Sequence, residues 1–386
     1  MTERKPGIGT KLVEGGRRKE WRGRLVTPPV ERASTILFDS VADLENGTPR
    51  LGEYRYGLQG TATHWALSEA LTQLEQGAAG TALFSSGLSA ITGTLLALLS
   101  PGDELLVTDS VYGPTRRFCD TILKRFGIVT TYYAPLIGAD IADLITERTR
   151  AIILESPGSH TMEIQDVPAI CAAAADRDVV TVIDNTWATP LFFPALSAGV
   201  DITILAATKY VAGHADLLLG TATATAKYFT RIQRTAWDLG HAVSADDAWL
   251  ALRGLRTMAV RLKQHQENAL TVAGWLKQQP RVGQVLHPAL ADCPGHELWS
   301  RDFKGSSGLF SFELTGANDA ERAAFVDRLD MFGIGYSWGG YESLALPVNP
   351  IRTASTAPAD NLIRLHIGLE DPDDLIADLA ASFAAM

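Results

Sequence analysis

The 386 residues are 46% hydrophobic and 20% charged, the balance of a packed chain long enough for two domains. The net charge of −10 argues against a nucleic-acid partner, which wants a basic face. Three cysteines without a CxxC pair exclude a disulfide framework and point to a reducing, cytoplasmic setting; the charged N-terminus is not a secretory signal, and no stretch is apolar enough to predict a membrane span.

Residues 1–60 carry many Gly, Arg and Pro and few periodic signals. They read as an extended arm of the kind that packs on a neighbouring subunit, and residues 1–20 read equally well as a frayed tail. From Thr63 the pattern changes. A helix is predicted from His64 to Gln76 and a buried helix about Leu88 to Leu99. Short Val- and Ile-rich runs follow at Leu105–Val107, Ile128–Tyr133, Ala151–Leu154, Val179–Ile183 and Ile202–Leu205, with helical patterns such as Val167–Ala175 between them. Continuous apolar strands alternating with helices predict a parallel sheet covered on both faces. Residues 225–280 read as mostly helical. The remainder reads as a smaller α+β unit, with strands near Leu309–Leu314 and Leu362–Ile367 and helices near Asp319–Leu329 and Asp373–Phe383. The expected division is an arm (1–60), a sheet domain (61–245) and a C-terminal α+β domain (246–386).

Four signals carry chemistry. VVTVIDNTW is a buried strand ending at Asp184, and ITILAATKY a second one ending at Thr208 and Lys209. In open parallel sheets ligands sit at the carboxyl ends of strands, so an acid and a lysine leave neighbouring strand ends toward one pocket. An acid for a pyridinium nitrogen and a lysine for a Schiff base is what a pyridoxal-phosphate enzyme needs. SSGLSA at 85–90 opens a helix with small residues, which suits an anion and equally an ordinary N-cap turn. Tyr112 in DSVYGPT follows a strand and could stack on a flat ring or sit in the core. Arg364 lies inside the apolar NLIRLHIGLED and needs a partner, either a substrate carboxylate or a structural acid. His287, Cys293 and His296 fit no standard zinc spacing; they read as a surface loop, with no metal expected.

With these residues stand DNTW (184–187), AATKY (206–210), GLRT (254–257), GSSGLFSF (305–312), YSWGGYESL (336–344) and IRLHIGLED (363–371). On these motifs the chain, from about Leu37 to its end, resembles the pyridoxal-phosphate enzymes of cysteine and methionine metabolism. The resemblance implies the aspartate aminotransferase-like fold (fold type I), with a mostly parallel cofactor-binding domain and a smaller C-terminal α+β domain. ESPGS at 155–159 and YSWGGYESL are more like the bacterial cystathionine β-lyases of that family than its γ-lyases and γ-synthases, whose first segment reads ETPxNP. Carried over, the resemblance implies that Lys209 holds the cofactor and moves the proton, Asp184 pairs with the ring nitrogen and Tyr112 stacks on the ring. It further implies that Gly87, Leu88 and the Thr208 hydroxyl hold the phosphate, joined by Tyr56 from a neighbouring subunit. Arg364, Ser337 and Trp338 receive the substrate α-carboxylate. The implied reaction is β-elimination from a sulfur amino acid, cystathionine first, in a homo-oligomer, a tetramer built from two dimers. The rivals are γ-elimination, γ-replacement or sulfhydrylation on the same fold, and a non-catalytic cofactor-binding scaffold. Two residues depart from the family pattern: Leu58 stands where a phosphate-binding arginine is expected, with Arg55 as a possible substitute, and Ala206 where many relatives carry serine.

Overall fold

The computed structural model describes residues 6–45 and 51–386. Seven strands form one sheet: β1 (Gly80–Phe84), β2 (Glu104–Thr108), β3 (Val129–Tyr133), β4 (Thr149–Glu155), β5 (Val180–Asp184), β6 (Ile202–Ala206) and β7 (Gly220–Ala224). Their order is β1-β7-β6-β5-β4-β2-β3. All neighbours are parallel except at β7, which runs antiparallel to both β1 and β6. The central strands β2, β4, β5 and β6 are apolar and buried on both faces, as a parallel sheet sandwiched by helices requires. On one face the helices Gly87–Leu98 and Phe229–Asp238 complete a core with Val107, Val182 and Ile204; on the other, Val167–Ala175 packs with Leu154 and Ile183.

The helix Ala245–Leu276 leads out of this sheet. Ser244 caps it, its hydroxyl accepting from the Asp246 N–H at 3.1 Å, and the two aspartates of the first turn suit the positive end of the helix dipole. Beyond it, β8 (Val282–Leu286), β9 (Leu309–Leu314), β10 (Leu344–Val348) and β11 (Leu362–His366) form an antiparallel sheet in the order β10-β11-β9-β8. Helices Asp319–Asp327 and Pro372–Ala384 cover it.

Two sequence expectations change. The segment before residue 60 is not simply extended or frayed. Ile8–Glu14 is a helix, Leu12 is buried, and the Arg256 guanidinium donates to the Leu12 carbonyl at 2.6 Å. Farther along, Pro28 O accepts from the Trp249 indole at 3.0 Å. The start of the arm therefore docks on its own chain, because Leu12 supplies one apolar side chain to a core already built by the helices Ala62–Thr72 and Ala245–Leu276. The stretch from His287 to His296 is likewise not a surface loop. His287 and Cys293 are buried, and Cys293 packs beneath Leu286 and Phe303.

Candidate active site

The carboxyl ends of the parallel strands meet the small sheet around a cavity of about 800 Å³. Ten of the residues singled out in the sequence line it: Gly87, Leu88, Tyr112, Asp184, Ala206, Thr208, Lys209, Ser337, Trp338 and Arg364. Tyr56 does not; it bridges to Thr35 in the arm and is half exposed.

Strand register places the charged groups. Asp184 ends β5 directly beside Glu155, the last residue of β4. Thr186 orients Asp184, donating to Oδ1 from its N–H at 3.0 Å and its hydroxyl at 2.5 Å, while the same hydroxyl accepts from Ala206 N–H on β6. Lys209 follows β6, and its Nζ donates to the Ser337 hydroxyl at 2.5 Å. Arg364, from the middle of β11, donates to the Ser337 carbonyl at 3.0 Å. Lysine and arginine thus come from different sheets and meet at one serine. Trp338 lies on the other side of the lysine, its ring centroid 5.2 Å from Nζ.

Burial dominates the electrostatics. It pushes the Lys209 amine down to about 8, the nearby Arg364 charge adding to the effect and Asp184 opposing it. Burial raises Asp184, against the Thr186 hydrogen bonds and the Lys209 charge. Burial and then the Asp184 charge hold Glu155 well above the ordinary carboxyl range. Burial brings Arg364 down to about 10, so it stays cationic at neutral pH. Such shifts, collected in one cleft, mark a chemical site.

The floor is shaped for an anion. Ser86 caps the helix Gly87–Leu98, accepting from Ser89 N–H at 3.0 Å, and the N–H groups of Gly87 and Leu88 have no acceptor within the helix. A Cβ on Gly87 would come within 2.5 Å of Ala206 Cβ, and one on Gly220 within 2.0 Å of the Ser86 carbonyl oxygen. The cradle exists because both are glycine. Thr208 borders it, with its hydroxyl turned to the Leu219 backbone, accepting from that N–H at 3.0 Å. Leu58 lies in the turn Gly57–Gln59 beside His64 and Trp65, away from the cavity, and the Arg55 guanidinium lies 5.7 Å from the Phe38 ring centroid. A helix N-terminus without Cβ obstruction, an acid, a lysine and the half-exposed Tyr112 ring at the mouth fit a phosphorylated aromatic aldehyde such as pyridoxal phosphate.

The mouth is roofed from the small sheet. Val348 and Asn349 line the cavity, and the chain beyond them is clamped by two buried acids. Asp109 accepts from the N–H groups of Thr353, Ala354 and Ser355 at 2.8–3.0 Å and from Arg116 at 2.7 Å. Glu163 holds Arg352 at 2.6 Å.

Sequence reasoning missed Glu155, which accepts the Tyr112 N–H at 2.7 Å and so fixes that ring's backbone. An acid directly after a predicted strand was the only sequence signal; its place beside Asp184 comes from strand register. It also passed over His160, which lines the cavity and whose imidazole burial holds at about 4. Among the described residues no group of three or more His, Cys, Asp or Glu could hold a metal ion.

Comparison with known proteins agrees with the geometry. The chain is 46% identical to the cystathionine β-lyase MetC of Escherichia coli (strain K12), over 98% of each chain. It is 49% identical to a putative cystathionine β-lyase of Rhizobium johnstonii, over 98% of this chain and 96% of that one. A crystal structure of cystathionine γ-synthase from Xanthomonas oryzae pv. oryzae, in complex with aminoacrylate and cysteine, superposes with a TM-score of 0.90 at 34% identity, covering 99% of this chain and 98% of that one. The family of Cys/Met metabolism PLP-dependent enzymes matches residues 9–384, and the chain belongs to it.

Proposed function

We propose that the protein is a carbon–sulfur β-lyase that cleaves L-cystathionine, with water, to homocysteine, pyruvate and ammonia. The observation that carries the proposal is the meeting of Lys209, Asp184 and Arg364 in one cavity, in a chain nearly half identical to proteins named for this reaction. Bound pyridoxal phosphate supplies an electron sink for the negative charge that forms at the substrate Cα.

The chain's own groups do the rest. Lys209 would hold the cofactor and, once displaced by the substrate amine, its Nζ, whose proton affinity burial lowers, would take the Cα proton. The same Nζ, now protonated, passes a proton to the departing sulfur. Asp184, oriented by Thr186, would face the ring nitrogen. Tyr112 would cover the ring face, and Gly87 and Leu88 would receive the phosphate through their N–H groups, with Thr208 beside them. Arg364 pairs with the α-carboxylate in a two-pronged hydrogen bond, with Ser337 and Trp338 alongside.

The working unit we propose is a homo-oligomer, a tetramer made of two dimers, in which the arm of one protomer brings Tyr56 to the other's phosphate. The strongly exposed Leu37 and Val41 and the half-exposed Tyr56 support this reading. A reducing, cytoplasmic location suits three buried cysteines that are all unpaired. Among the described residues no helix is long and apolar enough to cross a membrane.

The test is a panel of sulfur amino acids with product identification. Pyruvate from cystathionine is expected. 2-Oxobutyrate would move the reaction to γ-elimination. Borohydride reduction followed by peptide mass spectrometry should place the cofactor on Lys209, and an adduct on another lysine would overturn the assignment.

A further inference from the structure

The loop from Tyr336 to Gly340 carries Ser337 and Trp338 into the cavity. It holds an unfavourable shape. Ser337 has φ +101°, a conformation that residues with a side chain rarely adopt and that persists only where neighbours over-determine it. Gly339 has φ +88°, and a Cβ there would lie 3.0 Å from the Lys209 backbone. Something must pin this loop, and three side chains hydrogen-bond to it.

Two of the three are reaction groups. Lys209 Nζ donates to the Ser337 hydroxyl, and Arg364 donates to the Ser337 carbonyl. In the proposed reaction Lys209 leaves for the cofactor and Arg364 shares its guanidinium with the carboxylate. The third is His366, fully buried on β11 two residues after Arg364 and on the same face of the sheet. Gly339 N–H points at His366 Nε2 at 3.0 Å. The same Nε2 lies 3.2 Å from the Gly340 carbonyl, so in either tautomer, accepting from the Gly339 N–H or donating to the Gly340 carbonyl, it is held to the backbone of this loop. The adjacent His265 is fixed by its own backbone contact. Its Nδ1 lies 2.8 Å from the Ile367 carbonyl and must donate, leaving Nε2 as an acceptor. The ring centroids are 5.2 Å apart, and His366 Nδ1 and His265 Nε2 are buried without a partner among the described residues.

We propose that His366 is a positioning residue for the carboxylate-binding loop: its Nε2 holds Gly339, and thereby Ser337 and Trp338, in place after Lys209 and Arg364 have turned to cofactor and substrate. The assignment rests on the site reading given under Proposed function. His366 touches no reacting atom and acts through the loop.

The experiment compares His366→Leu, which removes Nε2, the acceptor facing Gly339 N–H, with His366→Gln, whose side-chain amide reaches about as far and can accept or donate. The readouts are amide hydrogen exchange of the 336–344 segment and steady-state kinetics with cystathionine. For the leucine variant we expect faster exchange in that segment and a KM raised about tenfold, the scale of one lost hydrogen bond, with kcat changed less and cofactor retained. The glutamine variant should recover most of both. If the leucine variant does not fold, His366→Asn, too short to reach Gly339, takes its place. Unchanged exchange and KM within twofold in the variant lacking the acceptor would overturn the proposal, as would a glutamine variant no better than leucine. Exchange decides the loop assignment whatever the substrate proves to be. Product identity decides the reaction, so the two can fail separately.

Discussion

Lys209 is an amine made reactive by its surroundings. Burial is the larger cause, and the two nearby charges pull in opposite directions. In protein freed of cofactor, labelling of Lys209 by an amine-reactive ester should therefore rise with pH around a midpoint near 8, well below an ordinary lysine, when followed by mass spectrometry of its peptide. Arg364→Gln removes a like charge and should raise that midpoint; Asp184→Asn removes an opposite charge and should lower it. A midpoint that ignores both substitutions would sink this account of the amine. Arg364→Ala should raise KM at least tenfold while leaving cofactor retention near normal, since a truncated side chain cannot replace a bidentate partner. A variant that binds substrate normally but loses cofactor would reverse that role. At this scale the sequence was informative, because an acid and a lysine at successive strand ends can be read directly. Glu155 was not read, since its importance comes from lying beside Asp184 across a strand pair, a relation that register supplies and linear order conceals.

Strands rich in Val and Ile were legible, and so was the sheet they build. Strand β7 was not: its sequence is Gly-Thr-Ala-Thr-Ala, where two threonines favour a strand but no Val- or Ile-rich run marks one. Its first residue is glycine because the turn at Ser86 lies against it. Strand β10 was hidden by Pro347, which an edge strand tolerates. Gly220→Ala should thus damage two elements at once, moving β7 and closing the anion cradle, at a cost of about 1–3 kcal/mol in stability together with weaker cofactor binding. Chemical denaturation and cofactor titration check the two parts. The clamp on the 353–355 turn gives a pH test. Burial alone would raise the Asp109 carboxyl, but hydrogen bonds from Ala354, Arg116, Ser355 and Thr353 overcome it and hold the group at about 2, below its ordinary 3.8. A depressed folded value means the contribution is complete above about pH 4 and is lost as pH falls toward 2. Asp109→Asn should cost on the order of 3 kcal/mol at neutral pH, and its deficit should shrink in acid. A deficit constant from pH 6 to pH 2 would contradict the assignment.

For the whole molecule, the shared-site arrangement predicts complementation. Lys209→Ala and an inactive Tyr56 variant, mixed under verified subunit exchange, should regain part of their activity, because a hybrid dimer can collect both lesions in one site and leave the other intact. No recovery after exchange would exclude the arrangement, as would a fully active monomer. The helix Ala245–Leu276 has a different consequence. Its first half, from Ala248 to Leu262, is packed in the core that also holds Tyr210 and Val211, directly after the lysine; its second half, from Ala269 to Leu276, is packed under the small sheet. One rod is bolted into both foundations. Warming cannot loosen either foundation without pulling on the other, even though the two sheets share no strand. A calorimetric trace of the protein should then show one endotherm, where two separately anchored halves would give two.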